Sequence, residues 1–191
     1  MGSAGGRLEG EILARAREVG REIARRGWIL ITGACPGLPH AAVLGAKEER
    51  GMTIGISPAL NFEEHALRYK SPYRGYDAII YTGSGLMGRE IENIRSCDFV
   101  IFLGGRSGTL GELAIAYDEA KVIGVLRGTG GIADHIEEII GFIRKKTGAH
   151  VVIESEPKAL LDRLHAIYRD TLLPFYRTVA ANRNPDGIPE P

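Results

Sequence analysis

The chain has 191 residues, long enough to bury a substantial core, and its 24 Lys and Arg balance its 24 Asp and Glu. That neutrality gives no global electrostatic case for nucleic acid or an anionic membrane, and no apolar run approaches the length of a membrane span. Two cysteines, Cys35 and Cys97, form neither a disulfide framework nor a zinc pattern, which leads us to expect a reduced, cytoplasmic setting.

The chain opens on Met1-Gly2-Ser3-Ala4-Gly5-Gly6, which reads as the loop that follows a first strand, without the strand. Either the start is truncated relative to relatives or the sheet is rearranged. Leu8, Ile12, Ala16, Val19 and Ile23 fall at helical spacing and predict a helix over 8–26, stopped by Gly27. Strands are predicted at 28–32, 53–57, 78–81, 99–103, 122–126 and 150–153. They are short continuous apolar runs, as expected where a parallel sheet is covered on both faces. Helices are predicted at 38–49, 86–96, 109–120, 132–146 and 157–172. This alternation predicts an α/β fold: a doubly wound, mostly parallel open sheet of Rossmann-like type, with its first strand missing or truncated. A single domain over 1–172 is expected. The tail, 173–191, carries several of the chain's nine prolines and is expected to be an irregular arm.

Such sheets bind ligands at the carboxyl ends of their strands, and four glycine-bearing loops fall there. The first, 33–40, offers Gly33 and Gly37 as a wall of a nucleotide site or an ordinary tight turn; its prolines remove N–H donors. The second, 83–88, is a literal GxGxxG. No acidic residue closes the next strand, so a dinucleotide site is discounted, and Gly85 is expected on the rim of a shared site. On the helix this loop opens, Met87, Ile91 and Ile94 form a stripe predicted to face the core, which turns Arg89 and Asn93 away from it. The fourth loop, 128–131, contributes Gly130, with Asp134 as the expected cap of the helix beyond; an empty connection is an equal alternative.

The third loop is the most informative. Gly104-Gly105-Arg106-Ser107-Gly108-Thr109-Leu110-Gly111-Glu112 follows the apolar run 99–103 and opens a helix. Glycines let backbone N–H groups turn toward a ligand, and a helix N-terminus favours an anion, so Gly104, Gly105, Ser107, Gly108 and Thr109 are candidate phosphate contacts. Glu112 lies about one turn inside the helix. A carboxylate there suits a ligand with a phosphate at one end and hydroxyls nearby.

This string resembles the PGGxGTxxE motif of the LOG-like ("lysine decarboxylase-like") family, which includes cytokinin-activating nucleoside 5′-monophosphate phosphoribohydrolases and molybdenum-cofactor carrier proteins. Gly104, Gly105, Gly108, Thr109 and Glu112 match, and Leu103 stands where the family has proline. The resemblance extends weakly over roughly 12–150. It implies a nucleotide-binding protein, with Glu112 and Arg89 as candidate catalytic residues for N-glycosidic hydrolysis and Arg95 as the rival arginine. The alternative is a non-catalytic binder or carrier of a phosphorylated small molecule such as a molybdopterin-type cofactor. Enzymatic activity is left open. The hydrolytic scheme needs no cofactor and no metal, and the five scattered histidines offer no metal-ligand spacing. A homodimer or higher homo-oligomer is implied, with no nucleic-acid or membrane partner. Cys35 as a nucleophile is the least supported reading, because no telling His or Asp accompanies it.

Overall fold

The computed structural model describes residues 1–6 and 8–181. Six strands form, β1 (Leu30–Thr32), β2 (Thr53–Ser57), β3 (Ala78–Tyr81), β4 (Phe99–Leu103), β5 (Val122–Leu126) and β6 (His150–Glu154). They alternate with α1 (Gly10–Arg25), α2 (Leu38–Glu48), α3 (Gly85–Arg95), α4 (Ser107–Asp118), α5 (Ile136–Ile143) and α6 (Pro157–Ile167). A π-helical turn over Glu64–Arg68, which the apolar periodicity did not announce, links β2 to β3. The predicted helix over 132–146 resolves into a 3-10 turn, Gly131–His135, and the short α5.

Every pairing is parallel, as expected, but the strands divide into two three-stranded sheets, β1-β2-β3 and β4-β5-β6. The missing first strand thus has a structural counterpart: β1 and β4 are not bonded to each other. Between them only the chain start pairs with β4, through a parallel bridge of Gly2 with Leu103 and a bond from Leu103 N–H to the Met1 carbonyl.

Side chains alternate across the second sheet and separate two apolar clusters. Leu103, Val122, Leu126 and Val152 pack with α1, α2 and α6. Val100, Phe102, Ile123 and Val125 pack with α3, α4 and α5. On the first face α1 and α2 touch through glycines. A Cβ on Gly20 or Gly45 would come within 1.9 Å of a backbone oxygen of the facing helix, so neither position admits a side chain.

The tail departs from expectation. Leu173–Ala181 forms a helix, α7, reached through a π-helical turn at Tyr168–Leu172. Pro174 lies just past the π-helical turn within a helical run that continues unbroken from α6, and the widened turn accommodates its missing N–H. Tyr176 packs toward Tyr168 and donates to Asp98 at 2.7 Å, which holds the segment against the body. The rest of the expected arm, 182–191, lies outside the described residues.

Candidate functional site

All four glycine loops emerge from carboxyl ends of parallel strands, and they share one rim. A cavity of about 810 Å³ opens there, with Gly33, Arg89, Ser107, Gly108, Thr109 and Glu112 among its lining. It continues downward between β1 and β4.

Helix α3 carries the main correction. Met87 is 81% exposed and Ile91 39%, whereas Arg89 is 7% exposed and Asn93 fully buried. Of the predicted core stripe only Ile94 is in the core. The periodicity identified two faces correctly, but could not say which face the rest of the protein covers. Arg89 and Asn93 look inward because the ligand cavity, not an apolar layer, lies under their side of the helix.

Arg89 reaches over the first loop. Its Nη1 lies 2.0 Å from where a Cβ on Gly33 would stand, so the absence of a side chain at Gly33 is what lets the guanidinium through. The same nitrogen is 3.8 Å from Glu112 Oε1, and both side chains are nearly buried. Arg89 Nε and Asn93 Oδ1 have no hydrogen-bond partner among the described residues. Arg95, the rival arginine, is exposed and pairs with Glu119 at 2.7 Å, away from the cavity.

Burial pushes the Glu112 carboxyl above its ordinary range, and the Arg89 charge only partly offsets this. Glu90 was missed at the sequence level. It lines the cavity, and its Oε1 lies 3.3 Å from the Cβ position of Gly108. Burial raises its pKa too. Its signal was adjacency to Arg89 on a helix that starts at a strand's carboxyl end. Arg106 was also missed; it is exposed at the cavity mouth.

The start of α4 is open. Arg106 precedes it in extended conformation (φ −129°, ψ −150°), and no side chain caps it. Leu110 N–H makes the first bond, to the Arg106 carbonyl at 3.0 Å. The N–H groups of Ser107, Gly108 and Thr109 therefore have no intrahelical partner, and the helix dipole adds positive potential at the same place.

The glycine pair itself behaves differently from expectation. Gly104 N–H donates to Thr129 Oγ1 at 2.8 Å and Gly105 N–H to Ser3 Oγ at 2.8 Å. These amides are consumed in joining loops and do not face a ligand. Gly104 and Gly105 instead adopt positive φ (59° and 106°) to turn the chain into α4. Gly130 also stands in a closed loop. Asp134 accepts from Gly128 N–H at 2.6 Å and Gly130 N–H at 3.0 Å, so it staples this loop and caps no helix. Ile132 and Ala133 N–H groups then bond the Gly105 and Gly104 carbonyls, fixing the third loop against the fourth. Gly37, with a φ of 78°, packs on the chain start: a Cβ there would lie 2.3 Å from the Ser3 carbonyl oxygen. Gly85 begins α3 at φ 70° with open space around it. Gly37, Gly85, Asn93, Gly104, Gly105 and Gly130 thus shape the walls and stand outside the cavity lining. Cys35 lines the cavity, but burial raises its thiol pKa, opposite to an activated nucleophile.

Among the described residues no helix is long and apolar enough to cross a membrane. The fold matches the crystal structure of TM1055, a structural-genomics target, with a TM-score of 0.75 at 24% identity, over 87% of this chain and 96% of that one. The molybdenum cofactor binding protein from Rippkaea orientalis is 31% identical, with a TM-score of 0.71 over 87% and 93% of the two chains. The molybdenum cofactor carrier protein of Chlamydomonas reinhardtii is 31% identical, with a TM-score of 0.68 over 87% and 96%. Residues 1–161 match the model of the SLOG cluster4 family, and the chain belongs to that family of LOG-like Rossmann proteins.

Proposed function

We propose that the chain binds a nucleoside 5′-monophosphate and cleaves its N-glycosidic bond. The observation that carries this reading is the convergence of Arg89 and Glu112 on one cavity, 3.8 Å apart and shielded from bulk water, beside an uncapped helix start. The free N–H groups of Ser107, Gly108 and Thr109 hold the 5′-phosphate, and exposed Arg106 adds charge at the mouth. Anchoring the phosphate there brings the ribose toward Glu112, one turn further along α4. The ring then develops positive charge as the bond from C1′ to the base nitrogen breaks. Glu112, when ionised, stabilises that charge and accepts a proton from the attacking water. Water oxygen bonds to C1′, the bonding pair leaves with the base, and a proton ends on the base nitrogen. A raised carboxyl pKa suits such a proton acceptor near neutral pH. Arg89 orients Glu112 and faces the same ligand.

A second reading is non-catalytic carriage of a phosphorylated pterin cofactor. What favours it is the likeness to the cofactor-binding protein from Rippkaea orientalis and the carrier from Chlamydomonas reinhardtii. Both readings use the same anion seat. Incubation with a panel of nucleoside monophosphates, with free base and bound ligand both measured, separates them. Base release supports hydrolysis; tight binding of a phosphorylated ligand without turnover supports carriage. Neither binding nor turnover for any phosphorylated ligand would sink both.

A further inference from the structure

Glu90 stands at the candidate site without a partner and without a task in the reaction above. It follows Arg89 on α3, is half-buried, and lines the cavity. Its two oxygens rest over the start of α4, Oε1 3.3 Å from the Cβ position of Gly108 and Oε2 3.6 Å from that of Gly111. A side chain at Gly108 would press on the carboxylate, so glycine there is what leaves it room. Glu112 lies four residues beyond Gly108 on the same side of α4, and helical side chains lean back toward the helix start. Two carboxyl groups and one guanidinium thus face a single volume. They are not equivalent. Arg89 Nη1 stands 3.8 Å from Glu112 Oε1, whereas Glu90 accepts no hydrogen bond and forms no ion pair among the described residues. Burial pushes both carboxyls above their ordinary range, and for Glu112 the charge of Glu90 adds to the rise; Arg89 acts on both in the opposite sense. Two neighbouring carboxyls that share one cation favour holding a single proton between them. The ion pair with Arg89 keeps the negative charge on Glu112, so the proton belongs on Glu90.

Resting on the nucleotide reading of this site, we propose that Glu90 is the general acid that delivers the proton to the departing base. A 5′-phosphate at the free N–H groups of Ser107, Gly108 and Thr109 fixes one end of the ligand. One ribose separates that phosphate from the glycosidic bond, a span close to one helical turn, about 5.4 Å. The bond therefore falls beside Glu90 and Glu112, which flank that turn. Leu86, one turn earlier on α3 than Glu90, also lines the cavity and gives the base an apolar rest. Glu112 takes a proton from the attacking water, whose oxygen bonds to C1′. The electron pair of the bond between C1′ and the base nitrogen goes to the base, and the proton of the Glu90 carboxylic acid joins it there. Each carboxyl ends in the state in which the other began, and a proton passed from Glu112 to Glu90 through solvent restores the site. The phosphate supports the same assignment, because a third negative group raises the cost of ionising Glu90 before the bond breaks.

The test turns on whether the leaving base needs a proton. Glu90→Gln keeps the volume and removes the transferable proton. Wild type and variant are assayed on adenosine and guanosine 5′-monophosphates, whose bases leave readily only when protonated. They are assayed also on nicotinamide mononucleotide and 7-methylguanosine 5′-monophosphate, whose bases already carry positive charge and leave neutral. In Glu90→Gln, turnover of the first pair is expected to fall by about two to four orders of magnitude with KM nearly unchanged, while the second pair is cleaved at close to the wild-type rate. Glu112→Gln removes the group that acts on water and ribose, and is expected to slow all four. Glu90→Asp restores an acid on a shorter stem and is expected to recover part of the turnover of the first pair. Calorimetric titration with ribose 5-phosphate and circular dichroism check that the phosphate seat and the fold survive the change. An equal loss on all four substrates, unchanged turnover on the first pair, or a change in KM alone overturns the role of Glu90 and leaves the nucleotide reading standing. Absence of base release from all four by the wild type overturns that reading itself, and this role with it.

Discussion

Glu112 is held where its charge is costly, and two outcomes follow at the level of that one residue. Glu112→Gln keeps the shape and leaves the α4 N–H groups in place, so affinity for a phosphorylated ligand is expected to change little. Turnover is expected to fall by about two to four orders of magnitude, the usual range for losing a positioned catalytic group. Base-release kinetics beside calorimetric binding check both halves, and unchanged turnover would remove Glu112 from the mechanism. The second outcome is a pH dependence. Burial raises the Glu112 pKa in the folded state, so between the ordinary glutamate value and the raised one the folded chain holds more protons than the unfolded chain. Stability from this group is then present at low pH and declines as pH rises through that window. Glu112→Gln lacks the decline, so its Tm measured against wild type is expected to improve from pH 4 to pH 8. A constant or opposite difference would mean that Arg89 outweighs the desolvation of Glu112. The identity of Glu112 was legible in the sequence because its motif is contiguous. Its partnership with Arg89 was not, because that depends on how α3 is rolled, and Glu90 and Arg106 were missed for a related reason: their roles come from facing across a gap.

Helix α4 shows how an element can fulfil a prediction by a different route. The glycine turn before it was expected to present its own N–H groups, yet Thr129 and Ser3 occupy those of Gly104 and Gly105. No local signal in the string indicates this, since both hydroxyls come from distant loops. What remains for an anion is the uncapped first turn. Ser107→Pro tests it, because proline at the first helical position removes one N–H while its fixed φ suits the helix, and Arg106 before it is already extended. Affinity for a phosphorylated ligand is expected to drop about ten- to a hundredfold, the worth of a hydrogen bond to a charged group. Tm should stay within a few degrees of wild type, which circular dichroism would check. Unaltered affinity would move the phosphate elsewhere on the rim. By contrast, all six strands coincide with the predicted runs in start, end or both, because a doubly covered parallel strand is a local composition signal. The helical tail Leu173–Ala181 is not legible in the sequence because Pro174 reads as a breaker, whereas the π-helical turn just before it lets the helix continue.

At the scale of the molecule, the sequence shows no strand before α1, and the fold has two half-sheets with no bond between β1 and β4; a single bridge ties the chain start to β4 alone. The rolled α3 bears on assembly. Met87 and Ile91, expected in the core, stand outside it, and Leu86 on the same helix and Leu110 on neighbouring α4 are 56% and 41% exposed. Met87 is the most exposed of them, and a cluster of this kind beside a ligand cavity is typical of a surface that another chain covers. A two-fold contact between copies would place α3 against its own symmetry mate, since such an interface is self-complementary. The wild-type particle is therefore expected at twice the chain mass in light scattering at micromolar concentration. Met87→Glu puts two like charges near the axis of that contact and is expected to halve the mass while leaving the fold intact by circular dichroism. Because Arg89 and Glu90 lie on the same helix, loss of the contact should also loosen the cavity wall and weaken ligand binding. A wild-type particle of single-chain mass, or a Met87→Glu particle that stays double, would show that α3 is not the contact and that its apolar face has another partner.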